Sequence, residues 1–124
     1  MGGVPRLAGA AMTTSANLAF SAGETTTYVF PVIDGDGDPV DVDGWTGIAQ
    51  VREYPMAPIV RHEWSADNDN ISVAGTSVTL TTTATDTAAW AWSKGVYHLE
   101  VTDTSGNVHR VAQGNVAVSR EVTR

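Results

Sequence analysis

An all-β chain, an antiparallel β-sandwich of about eight strands with one short helical crossover near residues 83–92, is predicted by three observations. Thr and Val number 16 residues each, level with Ala at the top of the composition, and β-branched side chains lose rotamer freedom in helices but suit a pleated surface. Turn-forming residues (Gly23, the Asp34–Gly37 cluster, Gly44, the Asp67–Asn70 cluster, Gly75, Gly95, Gly106 and Gly114) recur at a mostly ten-residue rhythm, the spacing of strand and turn in sandwiches. Apolar and polar residues alternate with period two in Ser77–Thr82 and Val96–Thr102, the mark of strands with one buried face.

Taken in order, Asn17–Phe20 is a short first strand and Thr25–Ile33 a longer one. Pro31 has no N–H to give a ladder, which places that strand at a sheet edge or a bulge. Trp45–Tyr54 and Ile59–Ser65 follow, and Pro55 and Pro58 between them prevent a tight regular hairpin. Ile71–Val73 and Ser77–Thr82 form a small hairpin about Gly75. Thr83–Trp92 breaks the pattern: Thr85 or Asp86 is suited to cap a single helical turn, and Ala88, Ala89 and Trp90 tolerate it. The strongest hairpin runs from Lys94-Gly95 through Val96–Thr102, the turn Asp103–Asn107 and Val108–Val118, with Gly106 at the left-handed position of the turn. Tyr97, Leu99 and Val101 fall on one face, and His98, Glu100 and Thr102 on the other. The whole is a sandwich of immunoglobulin-like or jelly-roll-like kind over residues 17–124, preceded by a flexible arm or extension over residues 1–16.

At 124 residues the chain is one domain, large enough to bury a core without staples. It has no cysteine, so thiol nucleophiles, thiolate metal sites and disulfides are excluded. Fourteen carboxylates face seven Lys and Arg, for a formal net charge of -7, and Lys94 is the one lysine. Phosphate-backbone affinity needs clustered cations, so nucleic acid is not an expected partner. No apolar stretch approaches the roughly 20 residues that span a bilayer, so neither is a membrane. Residues 1–12 hold one cation and no proper apolar core, a poor signal peptide. Two readings of this start stand side by side: a reading frame opened too early, with Met12 the natural beginning, or an arm ordered by a partner.

Candidate chemistry is sparse. Asp34, Asp36, Asp38, Asp41 and Asp43 follow one another at every second or third residue, and calcium favours several carboxylate oxygens on one loop. The first three match the start of a helix-loop-helix calcium loop, but Pro39 stands where its glycine belongs and Trp45 where its last glutamate belongs. A polar turn is the main reading, with calcium the lesser one and Asp67 and Asp69 possible further ligands. His62, His98 and His109 lack zinc spacing, and His98 and His109 are placed to face each other across the last hairpin. No serine sits in a nucleophile elbow, and the glycines near residue 35 lie among carboxylates that would repel a phosphate. A non-enzyme is expected, with no cofactor unless calcium binds. Four tryptophans, Trp45, Trp64, Trp90 and Trp92, carry more weight, since aromatics mark cores and contact surfaces alike. About two are expected in the core. The contact-surface candidates are Trp90, Trp92 and Trp64, with Pro5, Arg6 and Leu7 of the arm.

One resemblance runs along the chain. The segments Val32-Ile-Asp-Gly-Asp-Gly-Asp-Pro-Val-Asp-Val-Asp-Gly-Trp45, Ala49-Gln-Val-Arg52, Val78-Thr-Leu80 and Thr83-Ala-Thr-Asp-Thr-Ala-Ala-Trp90 lead to Gly95-Val-Tyr-His-Leu-Glu-Val-Thr-Asp103. After these come Gly106-Asn-Val-His-Arg-Val-Ala-Gln-Gly114 and Val116-Ala-Val-Ser-Arg-Glu-Val-Thr-Arg124. This succession resembles the N-terminal β-sandwich domain of baseplate upper proteins of tailed bacteriophages and the short minor tail proteins related to it. The resemblance spans about residues 17–124, and its most specific part is the late run from Gly95 to Arg124. It implies a non-enzymatic virion protein, made in the host cytoplasm and docked in multiple copies onto other virion proteins of a tail or baseplate. In those relatives helical and receptor-side segments follow the sandwich, whereas this sequence stops at Arg124, so the expectation is a stand-alone tail or capsid-surface piece. A capsid decoration protein and a carbohydrate-binding module are the alternatives, the latter requiring two or three tryptophans exposed on one face.

Overall fold

A computed structural model describes residues 13–120, which form nine strands and one helix in two sheets. The strands are β1 (Thr14–Ser15), β2 (Leu18–Ser21), β3 (Thr26–Pro31), β4 (Thr46–Arg52), β5 (His62–Ser65), β6 (Ile71–Ala74), β7 (Ser77–Thr82), β8 (Lys94–Thr102) and β9 (Val108–Ser119), with helix α1 (Ala84–Ala89) between β7 and β8. The larger sheet has the order β1-β9-β8-β4-β5, with β2 also on β9, and the smaller is β3-β7-β6. The expected all-β sandwich is the fold, and its strands follow those expected from the sequence to within a few residues.

Two features depart from the expectation. The pairing is not wholly antiparallel: β1 and β2 both run parallel to β9, with Thr14 opposite Ala112 and Leu18 opposite Val116. Residues 13–16 therefore belong to the sandwich rather than to an arm, and the rest of that segment, 1–12, lies outside the described residues. The helix is capped by Thr83 rather than Thr85 or Asp86. Thr83 is extended (φ -81, ψ 160) and its hydroxyl accepts the Asp86 N–H at 3.1 Å, which leaves Asp86 inside the first turn, where a carboxylate complements the helix dipole.

The hydrophobic pattern explains the layers. In β8, Gly95, Tyr97, Leu99 and Val101 are buried and the residues between them partly exposed, so one face turns to the core and one to solvent. Between the sheets lie Phe20, Val51, Trp64, Val78, Leu80 and Leu99, part of one continuous buried cluster. Pro31 ends β3, an outer strand of the smaller sheet, as its missing N–H requires. A register shift between Leu99 and Glu100 sets Glu100 opposite Arg110 and His98 opposite Gln113. The long β4–β5 connection, residues 53–61, brings Pro55 and Met56 beside outward residues of β4 and β8. Among the described residues no helix is long and apolar enough to cross a membrane.

Candidate functional site

The tryptophans sort by the partners their indole groups find. Trp64 is 0% exposed and its Nε1 donates to Thr82 Oγ1 at 3.0 Å, joining β5 of one sheet to β7 of the other. Trp90 is 7% exposed, edge-on to Phe20 at 5.2 Å and stacked on Trp92 at 4.7 Å. Neither ring is available to a partner, which corrects the expectation that Trp64 and Trp90 line a contact surface. The chain leaves α1 extended at Trp90, and this irregular crossover turns that ring inward. Trp92 is half-buried, with the Arg61 guanidinium 5.8 Å from its ring, and Arg120 donates to the Trp90 and Trp92 carbonyls. Trp45, also half-buried, stacks on His109 at 5.7 Å. The exposed tryptophan platform that a carbohydrate-binding module requires is not formed. Pro5, Arg6 and Leu7 lie outside the described residues.

Of the five aspartates from Asp34 to Asp43, three converge: carboxylate oxygens of Asp34, Asp36 and Asp38 lie within 4.8 Å of one another. Asp34 Oδ1 accepts the N–H groups of Asp36 (2.9 Å) and Asp38 (3.0 Å), the geometry of a polar turn closed by an aspartate. The other two point elsewhere. Asp41 accepts the Asp43 N–H at 3.0 Å, and Asp43 reaches the β6–β7 turn to accept the Gly75 N–H at 2.7 Å. The five do not form one calcium ligand set, nor do Asp67 and Asp69 join them.

The histidines also separate. His98 and His109 do not face each other, because the Asp103–Asn107 turn sets Val101 opposite His109. His109 is buried beside Asp103, whereas His98 lies on the outer face of the larger sheet. His62 turns inward, 4.6 Å from Trp64 and 4.9 Å from Trp90, and its Nε2 is buried without a hydrogen-bond partner. Burial pushes the pKa of His62 below the usual histidine value, against the raising effect of Asp86 and Glu63.

A feature outside the expectations drawn from the sequence is a groove of about 560 Å³ on the outer face of the larger sheet. Its floor is built from outward residues of β4 and β8, Ile48, Gln50, Val96 and His98, and one wall from Pro55 and Met56 of the β4–β5 loop. Arg52 and Arg110 stand at its sides. Arg52 holds the loop in place by donating to the Ala57 carbonyl and to Gln50 Oε1, while Ala57 is buried beneath. Arg110 pairs with Glu100 at 3.5 Å. Desolvation in the groove, aided by Arg110 and opposed by Glu100, lowers the pKa of His98. Met56, 93% exposed, stands at the tip of the loop with a φ of 68, a left-handed conformation that an L side chain adopts only when its surroundings impose it. Tyr54 and Ile59 are exposed beside it. The signal available in the sequence was Tyr54-Pro-Met-Ala-Pro-Ile59, apolar residues set in a proline-bounded connection where a turn would ordinarily be polar.

No protein-family model matches the chain, and no curated protein matches it.

Proposed function

We propose that this protein is a non-enzymatic structural component of a tailed-bacteriophage virion, most directly of the tail or baseplate. The observation that carries the reading is the late motif run from Gly95 to Arg124, which resembles phage baseplate and minor tail proteins. Residues 95–119 of that run form the β8–β9 hairpin within the larger sheet. A two-sheet sandwich suits a docking module, since its strand edges and flat faces can meet neighbours without any moving part. The non-enzymatic part rests on how polar side chains are used: Asp103 and His109 lock a turn, Asp34 and Asp43 bind backbone N–H groups, and His62 packs against tryptophan rings. The net charge of -7 favours solubility before assembly and a partner surface of more positive potential.

Mass spectrometry of purified virions tests this directly. The protein is expected at a stoichiometric copy number and, in a density map, at the tail or baseplate. Virions lacking it would overturn the proposal, and density on the capsid lattice would replace the tail assignment with the decoration role.

A further inference from the structure

The outer face of the larger sheet mixes both signs of charge with apolar residues, whereas the strands of the smaller sheet carry no charge. Its strands carry Arg52, Lys94 and Arg110 against Glu63 and Glu100, with Ile48, Val96 and Val108 among them. Apart from Glu53 at the loop, the other described carboxylates lie in turns and on the helix. On a chain of net charge -7, three cations against two carboxylates let two copies approach on this face without strong mutual repulsion. The face also bears a projection beside a recess: Met56 stands out next to a groove floored by Ile48 and Val96.

From this geometry we infer that the face binds a second copy of the chain in an isologous pair, the Met56 of each copy entering the groove of the other. An isologous contact needs one patch that is its own complement, since each residue meets its counterpart's neighbours across a two-fold axis. A knob next to a hole meets that requirement, and so do cations and carboxylates mixed on one face, where Arg110 of one copy has Glu63 or Glu100 of the other to pair with. The strained backbone at Met56 fits the same role. Arg52 and the buried Ala57 hold the loop in one shape, so little conformational freedom is lost when Met56 is covered, and preorganisation of this kind favours association.

The size of the face sets the expected strength. Four strands about 4.8 Å apart with a rise of about 3.3 Å per residue give roughly 400 Å² of plane before the loop is added. That is about half of what a standard specific interface buries, roughly 800 Å² per partner, so a weak, reversible dimer is expected, not an obligate one. The inference does not depend on the virion reading, and the solution measurement below succeeds or fails without reference to a particle.

Sedimentation of the full chain from about 5 to 500 µM, a range that brackets such an equilibrium, is the test. A monomer passing to a dimer is expected, and Met56→Asp is expected to weaken the dimer at least tenfold. Met56→Gly removes the knob and relieves the positive φ, so it is expected to weaken the dimer while leaving the melting temperature unchanged or raised. Thr81→Asp, on the outside of the smaller sheet, is expected to leave the dimer intact. A monomer over the whole range would overturn the inference, as would a dimer indifferent to both Met56 changes or one lost on Thr81→Asp.

Discussion

His109 Nε2 lies 3.1 Å from Asp103 Oδ2 at the foot of the β8–β9 hairpin, beneath the ring of Trp45. The same carboxylate accepts the N–H groups of Ser105 and Asn107, each at 2.9 Å, through its other oxygen. One aspartate thus closes the turn and ties it to the core edge.

These contacts pull the pKa of Asp103 down to about 2, chiefly through the hydrogen bond from His109 and then through the Asn107 N–H. A carboxylate whose folded pKa lies below its unfolded value stabilises the fold above the unfolded value, near 3.8, and loses that effect as pH falls toward the folded one. Asp103→Asn is therefore expected to lower the melting temperature at neutral pH. The gap to the parent protein should shrink between pH 4 and pH 2, and thermal melts at five or six pH values would show it. A gap that stays constant down to pH 2 would contradict the account.

His62 adds a second acid-sensitive window at higher pH. Its pKa is lowered mainly by burial, so the unfolded chain takes up a proton before the folded one does. Stability is then highest above about pH 6.5, the ordinary histidine value, and declines as pH falls below it. His62→Phe removes one of the two histidines with a lowered pKa, His98 being the other, so its melting temperature is expected to decline less steeply between pH 7 and pH 5 than the parent's. A parent profile already flat over that range would refute the assignment.

Trp64 and Thr82 form a buried polar contact between the two sheets. Trp64→Ala leaves a cavity and is expected to cost about 3–5 kcal/mol. Thr82→Val keeps the volume nearly unchanged but strands the indole N–H, which is expected to cost about 1–3 kcal/mol. Denaturant unfolding with unchanged m-values would measure both, and a cost for Thr82→Val near zero would mean that the N–H had found another acceptor.

The fold was legible where one residue's fate depends on near neighbours. Tyr97, Leu99 and Val101 alternate with polar residues, and that pattern alone sets which way β8 faces. Pro31 marked an edge because its missing N–H is a local fact. Contacts set by distant partners were not legible. Thr14 and Ser15 have no apolar alternation, and their strand exists because β9, nearly a hundred residues away, offers an open edge. The depth of Trp64 follows from finding the Thr82 hydroxyl, and the prominence of Met56 from how Arg52 folds the loop back. The polar turn at Asp34 was legible from its Asp-Gly spacing, but that the five aspartates divide was not, because Asp43 is drawn off by the Gly75 N–H, a contact across the sandwich that spacing does not encode.

Gly114 offers the sharpest test of that distant dependence. It pairs with Tyr97 in β9 and lies where β1 gives way to β2 along the same edge. A Cβ built there would meet the Ala16 carbonyl oxygen at 2.2 Å and its carbon at 2.8 Å, too close for any rotamer change to relieve, since both are backbone atoms. The Ala16 carbonyl also accepts a hydrogen bond from the Tyr97 hydroxyl at 2.6 Å, and the Ala16 N–H donates to the Gln113 carbonyl at 2.9 Å. Gly114→Ala must push Ala16 away and break or stretch both, so it is expected to cost about 2–4 kcal/mol as overpacking and lost hydrogen bonds combine. Tyr97→Phe by itself is expected to cost about 1 kcal/mol. The two changes act on one contact, so they are expected not to add: once Gly114→Ala has displaced Ala16, Tyr97→Phe should cost almost nothing further. A double-mutant cycle reads this as a coupling of about 1 kcal/mol, and strictly additive effects would show that Ala16 stays in place when Gly114 gains a methyl group.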